Sequence, residues 1–300
     1  VRHGCLIIGD LHYTSSRPRR RNDNFANAIR LKMDEISNIG ANPDMIIQTG
    51  DLFQNCRPRW EDFRIVARWL SSFPKPVVVC PGNHDLEGGA LASVRDLPLG
   101  VLEELGFIRT TSGFANGLEF TISQWGKPLG PGPGVLVAHE AIYPPDMDVP
   151  FQHYRADNLV ALGWKVIIVG HVHIQARVER IGGTLFIWPG AISRGNILHD
   201  WGREPAVVWL DATTEPFEAE IVKLKTAAPF AEVFDTKQYE QEKQTEATFA
   251  EFVAGLRGAQ LEAGFRDVFE GIRQLDSYKG LSDSVRDYIE NTITEGLKSG

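Results

Sequence analysis

The chain has 300 residues, 43% of them hydrophobic and 23% charged, which is ample for one large domain or one domain with a smaller appendage. That composition excludes general disorder, and no apolar run approaches the roughly 20 residues of a membrane span. With 31 basic against 39 acidic side chains the net charge is −8, which excludes a uniformly basic polyanion binder.

The first apolar run, Cys5–Ile8, reads as a strand; it is too short for a signal sequence and leads straight into Gly9-Asp10. Asn22 or Asp23 then caps a helix in which Phe25, Ile29, Met33 and Ile36 recur at helical spacing as far as Gly40. Met45–Gln48 is a second strand, Trp60, Phe63, Ala67 and Leu70 mark a second helix, and residues 77–80 form a third strand. This β-α-β-α-β rhythm predicts an α/β layered fold with parallel crossovers. Later strand-like runs at 120–122, 135–138, 166–169, 185–188, 207–210 and 219–224 have fewer helices between them. A two-sheet sandwich flanked by helices accommodates both halves. The stretch 126–134 is a Pro/Gly turn connector, because strands resume at once.

Near Ala227 the pattern changes to helical periods without strand signals, as in Leu261, Phe265, Val268, Ile272 and Leu275, then Val285, Tyr288, Ile289, Ile293 and Leu297. A boundary at about 226 separates residues 1–225, with a net charge of −2, from an acidic helical domain, residues 226–300, with −6. Cys5, Cys56 and Cys80 form no CxxC and predict reduced thiols and a cytoplasmic protein.

Five short motifs follow predicted strands: Asp10-Leu-His12, Gly50-Asp51, Gly82-Asn83-His84-Asp85, His139, and Gly170-His171-Val-His173. The carboxyl ends of strands in layered α/β proteins face a common crevice, so these groups can converge. Asp, Asn and His suit Mn²⁺, Fe or Zn²⁺, and no cysteine is among them. Taken singly, an Asp-x-His is a turn and a Gly-Asp a helix cap; five in succession after strands point to a metal site.

In this order the motifs resemble the calcineurin-like metallophosphoesterase superfamily. The resemblance covers residues 10–173 and implies a four-layer α-β-β-α sandwich with two divalent metal ions, here expected to be Mn²⁺. It implies that Asp10, His12, Asp51 and His173 hold one ion, and that Asp51, Asn83, His139 and His171 hold the other. His84 would be the catalytic histidine that meets the phosphate or protonates the leaving oxygen, oriented by Asp85. The implied reaction is in-line hydrolysis of a phosphoester by metal-activated water.

Within the superfamily, Asp51-Leu-Phe53, Arg21-Asn-Asp23-Asn-Phe25 and the 189–194 segment PGAISR resemble the SbcD-like DNA repair exonucleases, although Gln54 stands where they carry His or Asp. That branch implies DNA as substrate, and an SMC-like (SbcC-like) ATPase as the partner of the C-terminal helices. A second copy of the chain is a further candidate partner, and no membrane is implied. Arg17, Arg19, Arg20 and Arg21, in the loop after the first motif, are candidates for neutralising DNA phosphates, as is Arg194; the alternative for the loop is an ordinary solvated basic turn. Trp60, Trp125 and Trp188 are candidates for base stacking, with core packing favoured for Trp60 and Trp188. Two other functions stay open: a phosphatase or cyclic-nucleotide phosphodiesterase on a small substrate, and a non-catalytic scaffold.

Overall fold

A computed structural model describes residues 4–88, 91–115, 118–198, 200–213 and 215–237, together with 239–241, 243, 276–279, 286 and 290. The chain divides into two compact units, Val1–Phe234 and Asp235–Gly300. The first unit reaches past the boundary expected at about 226. Its last residues are held by side chains and backbone from far upstream: the Glu35 carboxylate accepts the Lys225 and Thr226 amides, and the Asn22 amide donates to the Val233 carbonyl at 2.8 Å. In the second unit a short helix, Asp276–Lys279, is described. The apolar stripes read from residues 261–275 and 285–297 lie outside the described residues.

The first unit is an α/β sandwich of two six-stranded sheets. The first sheet contains β1 (Cys5–Ile8), β2 (Met45–Gln48), β3 (Val77–Val79) and β4 (Ile108–Arg109), all parallel, with β13 (Ala206–Asp211) and β14 (Glu218–Lys223) added antiparallel beside β1. Its order is β14-β13-β1-β2-β3-β4. The second is ordered β11-β12-β10-β7-β6-β5, from β5 (Gly113–Ala115), β6 (Leu118–Ser123), β7 (Val135–His139), β10 (Val166–Gly170), β11 (Arg177–Ile181) and β12 (Thr184–Trp188). A two-stranded ribbon pairs β8 (Ile142–Tyr143) with β9 (Tyr154–Arg155). The helices are α1 (Phe25–Ile39), α2 (Trp60–Ser71), α3 (Pro98–Glu104), α4 (Ala156–Leu159) and α5 (Phe230–Val233).

Alternation along the strands builds the layers. Leu6, Ile8 and Ile46 point to Phe25, Ile29, Met33 and Ile36 of α1 and to Val66 and Leu70 of α2. Cys5, Ile7, Met45 and Ile47 point the other way, to Val135, Val137, Val166 and Ile168 of the second sheet. Leu136, Ala138, Ile167 and Val169 then face Leu159 of α4, Trp164 and Trp188 on the far side. Strands apolar on both faces sit between covered layers, which is why these runs carry no polar alternation. The cap of α1 is Asn24, whose side chain accepts the Asn27 amide at 3.0 Å, and not Asn22 or Asp23; Asp23 is bound to the Arg21 guanidinium instead.

Candidate metal centre

All five motifs leave strand ends on one edge of the two facing sheets. Asp10 follows β1, Asp51 follows β2, Asn83 follows β3, His139 closes β7, and His171 and His173 follow β10. The turns are tight and cross-linked. The Leu11 and His12 amides donate to the Asp51 carbonyl, the His171 amide to Asp10 Oδ2 at 2.9 Å, and the His84 amide to Asp51 Oδ1 at 2.8 Å. His12, Asp51 and His171 all adopt positive φ (47°, 53° and 71°), a conformation costly for side-chain-bearing residues and kept where surrounding contacts dictate it. Gly82 is required by the same crowding: a Cβ there would lie 2.2 Å from Asp51 Oδ1 and 2.6 Å from His139 Cε1.

Two groups of donor atoms result. Around the first point, His12 Nε2 and His173 Nε2 face each other at 3.1 Å, and Asp10 Oδ2 lies 3.2 Å from His173 Nε2. Around the second, Asn83 Oδ1 lies 3.2 Å from His139 Nε2 and 3.0 Å from His171 Nδ1. Asp51 Oδ2 lies between the groups, 3.5 Å from His12 Nε2 and 3.4 Å from His139 Nε2. The seven residues named from the motifs are thus within reach of two adjacent points.

The electrostatics call for cations. Asp10, Asp51 and His139 are buried. Burial works against charge at both carboxyls, yet His139 foremost, with His12 nearby, holds them below the usual carboxylate range. Desolvation opposes a charge on His139 too, but Asp51 and Asp10 raise it to about 10. Desolvation takes His12 and His171 down to about 4. The donor set therefore holds two buried carboxylates whose counter-charge, in the protein alone, is a proton on a histidine that itself points at the centre. Hard oxygen and imidazole donors of this kind fit divalent ions such as Mn²⁺, Fe²⁺ or Zn²⁺.

Residues outside the motifs fix the donors. The Thr49 hydroxyl donates to Asp10 Oδ1 at 2.7 Å, and the Thr49 carbonyl accepts His139 Nδ1–H at 2.7 Å, which leaves Nε2 as the inward nitrogen. Trp125 lies over His171 with ring centroids 4.5 Å apart. Thr49 lies outside the five motifs, although a polar residue between an apolar strand and Gly50-Asp51 is the signal for it. His84 and Asp85 differ from the expectation. Asp85 is buried and accepts the Asp51, Leu52 and Gly82 amides at 2.7, 3.1 and 3.0 Å, so it braces the metal loops and does not orient the histidine. His84 is held instead by the Gln54 carbonyl, which accepts its Nδ1–H at 2.6 Å. Nδ1 is thereby the protonated nitrogen, and Nε2 is left for the crevice.

That crevice has a volume of about 560 Å³ and is walled by His12, His84 and His173 with Thr14, Ser16, Arg17, Gln54, Asn55, Ser193, Asn196 and buried Asp200, whose carboxylate is paired with Arg203. Of the five arginines proposed for phosphate contact, Arg17 lines it and Arg19 is exposed, while Arg20 is half-buried. Arg21 and Arg194 are buried and depart from their expected role. Arg21 binds Asp23 and the Arg194 carbonyl, and Arg194 donates to the Ala228 and Arg203 carbonyls. Together with Lys32 and Arg203 they form a buried cationic cluster under the segment 191–194. Four successive carbonyls of that segment each accept from a basic side chain: Ala191 and Ser193 from Arg203, Ile192 from Lys32 Nζ at 2.5 Å, and Arg194 from Arg21. The clamp fixes the wall on which Ser193 stands, and the Ile192 amide ties it to the Asp10 carbonyl at 2.8 Å. Trp188 is buried as expected, whereas Trp60 is 83% exposed and does not pack in the core.

Among the solved structures, the protein TT1561 of Thermus thermophilus is 15% identical, with 72% of this chain and 97% of that chain covered and a TM-score of 0.47. Vps29 of Entamoeba histolytica complexed with Zn²⁺ is 14% identical over 74% of this chain and 99% of that chain, with a TM-score of 0.37. A predicted phosphoesterase of Streptococcus pneumoniae is 14% identical over 73% of this chain and 88% of that chain, with a TM-score of 0.35. No curated protein matches the chain. The family model for calcineurin-like phosphoesterases matches residues 5–175, a span that runs from β1 through every motif to the loop after β10. On that match, over more than half its length, the chain belongs to the calcineurin-like metallophosphoesterases.

Proposed function

We propose that the chain is a DNA phosphodiesterase of the SbcD-like kind. The observation that supports this reading is the crevice mouth: Ser16, Arg17, Gln54, Asn55 and Asn196 are all exposed, so a polymer can cross the metal centre without threading an enclosed pocket. Asp10, His12 and His173 would hold one ion, and Asn83, His139 and His171 the other, with Asp51 serving both. Bound divalent ions supply Lewis acidity at the phosphoryl oxygens and lower the pKa of water. The protein's own part is positional. Gln54 keeps the proton of His84 on Nδ1, so Nε2 carries and delivers the second proton to the leaving oxygen. Arg17, whose Nε and Nη2 donate to the Arg21 carbonyl, turns its remaining N–H groups to a neighbouring phosphate.

The same resemblance supplies a partner, an SMC-like ATPase engaged by the residues beyond Phe234. The test of the substrate is a manganese-dependent digestion comparing linear DNA with methyl p-nitrophenyl phosphate. Release of nucleotides from DNA at a higher kcat/KM supports the reading. Turnover of the small ester with intact DNA assigns the centre to a small-substrate phosphoesterase.

A further inference from the structure

Beside the catalytic crevice lies a second, smaller groove of about 260 Å³, with Cys56, Arg57, Trp60, Phe63, Leu97 and Val101 in its wall. Trp60 opens α2 and leaves most of its indole in solvent. Isolated exposed apolar residues are ordinary, but this one belongs to a built aromatic column. Buried Phe53, two residues from Asp51, stacks on Phe63 with centroids 6.2 Å apart, and Phe63 meets Trp60 edge-on at 5.8 Å. The column therefore runs from the metal loop to the surface. The two cavities are joined along the chain: Gln54 and Asn55 line the crevice, and Cys56 and Arg57 line the groove. Topology agrees, because α2 begins where the loop after β2 ends, on the sheet edge that carries the metal ligands.

The occupant follows from chemistry and charge. The wall holds one cation, Arg57, and one anion, Asp96, and Arg57 is further engaged by Glu87 at 2.8 Å. Such a wall offers nothing to a phosphate but suits a flat, neutral ring. The volume falls below the roughly 300–1,000 Å³ of pockets that bury a drug-sized ligand, so one ring system fills it. Phosphate charge has its own place next door, at Arg17 and the metal ligands.

We propose that Trp60 and its groove form a base-stacking subsite for a nucleotide adjoining the one whose phosphate lies at the metal centre. This rests on the nucleic-acid reading above and adds to it a requirement for unstacked, single-stranded bases. Indole stacking is tolerant of base identity, so the subsite grips a strand without selecting its sequence.

The experiment measures binding of a short fluorescein-labelled oligo(dT), and of an abasic oligomer of equal length, to the full chain and to Trp60→Ala and Trp60→Phe. Trp60 buries little surface, so both variants keep the fold, which thermal melting verifies. The parent should bind oligo(dT) more tightly than the abasic oligomer. Trp60→Ala should weaken oligo(dT) about 5- to 150-fold, the worth of one stacked base, and erase that preference, while Trp60→Phe should retain most of it. If the parent prefers oligo(dT) and Trp60→Ala binds it equally well, the subsite is refuted and the nucleic-acid reading stands. Equal losses on both oligomers would refute stacking as well. If the parent cleaves methyl p-nitrophenyl phosphate but binds neither oligomer, the nucleic-acid reading fails and takes the subsite with it. Self-association in sedimentation velocity that Trp60→Ala abolishes would assign the groove to a second copy of the chain.

Discussion

The side chains of His84 and Asp85 are adjacent in sequence but separate in role, and the separation decides how each responds to substitution. His84→Ala removes the imidazole while keeping the backbone amide that binds Asp51 Oδ1. Metal content should therefore stay at the parental level while the rate falls about 10²- to 10⁴-fold, the usual worth of general acid help. Elemental analysis alongside single-turnover kinetics checks both halves; an unchanged rate would remove His84 from the mechanism. Asp51 behaves differently because its Oδ2 lies between both donor groups. Asp51→Asn should lower occupancy at both points, whereas His173→Ala should empty mainly one. Two tightly bound ions per chain in the Asp51 variant would dismiss the shared role. At this scale the sequence shows which residue types converge but not what holds them. The partner of His84 is a main-chain oxygen thirty positions upstream, and no side-chain pattern encodes it. Arg21 in the basic loop and Arg194 after the PGAIS run look like surface charges, and only the fold reveals that they face carbonyls.

The strands that the sequence reveals most plainly are those covered on both faces, since β1, β2, β7 and β10 are short apolar runs buried from end to end. Elements at the margins are less legible. Edge strand β11, with the sequence Arg-Val-Glu-Arg-Ile, is half-covered except for exposed Arg180, and α3 begins with a proline and contains Gly100, both of which signal a turn. Helix α1 carries a further surprise in Lys32, a charged side chain on its buried face. Desolvation, with the charges of Arg194, Arg203 and Arg21, places its pKa well below the ordinary lysine value. The unfolded chain then binds a proton that the folded chain resists, so stability on this account rises with pH up to the ordinary lysine pKa of about 10.4. Lys32→Met should remove that contribution, which has a limiting slope of about 1.4 kcal/mol per pH unit. Urea midpoints compared below about pH 8.5 avoid the opposing effect of Cys5, whose buried thiol is raised to about 12. Parallel pH profiles for parent and variant would show that Lys32 keeps its proton in the fold.

Across the whole chain, the charge is carried unevenly, with a net charge of −5 in residues 235–300 against −3 in the much longer first unit. Like charge would repel a duplex there, which suits a protein partner better than DNA. If the proposed partnership holds, removing residues 235–300 should spare metal content and hydrolysis of methyl p-nitrophenyl phosphate while abolishing ATP-stimulated digestion with an SMC-like ATPase. Undiminished capture of that ATPase by the shortened chain would dismiss the partner role. The clamp under residues 191–194 has a bearing on how the first unit comes apart. Three basic side chains from separate segments, Arg21 before α1, Lys32 within it and Arg203 before β13, grip one stretch of backbone. A protease must draw a segment out of its hydrogen bonds before cutting it, so the bond after Arg194 opens only when the unit as a whole does. Arg19, by contrast, is exposed in the loop before α1. Under native conditions trypsin should cut after Arg19 early and after Arg194 only at the rate of global unfolding, as timed digests read by mass spectrometry would record. The wall of an open crevice would then be among the last parts of this protein to yield to digestion.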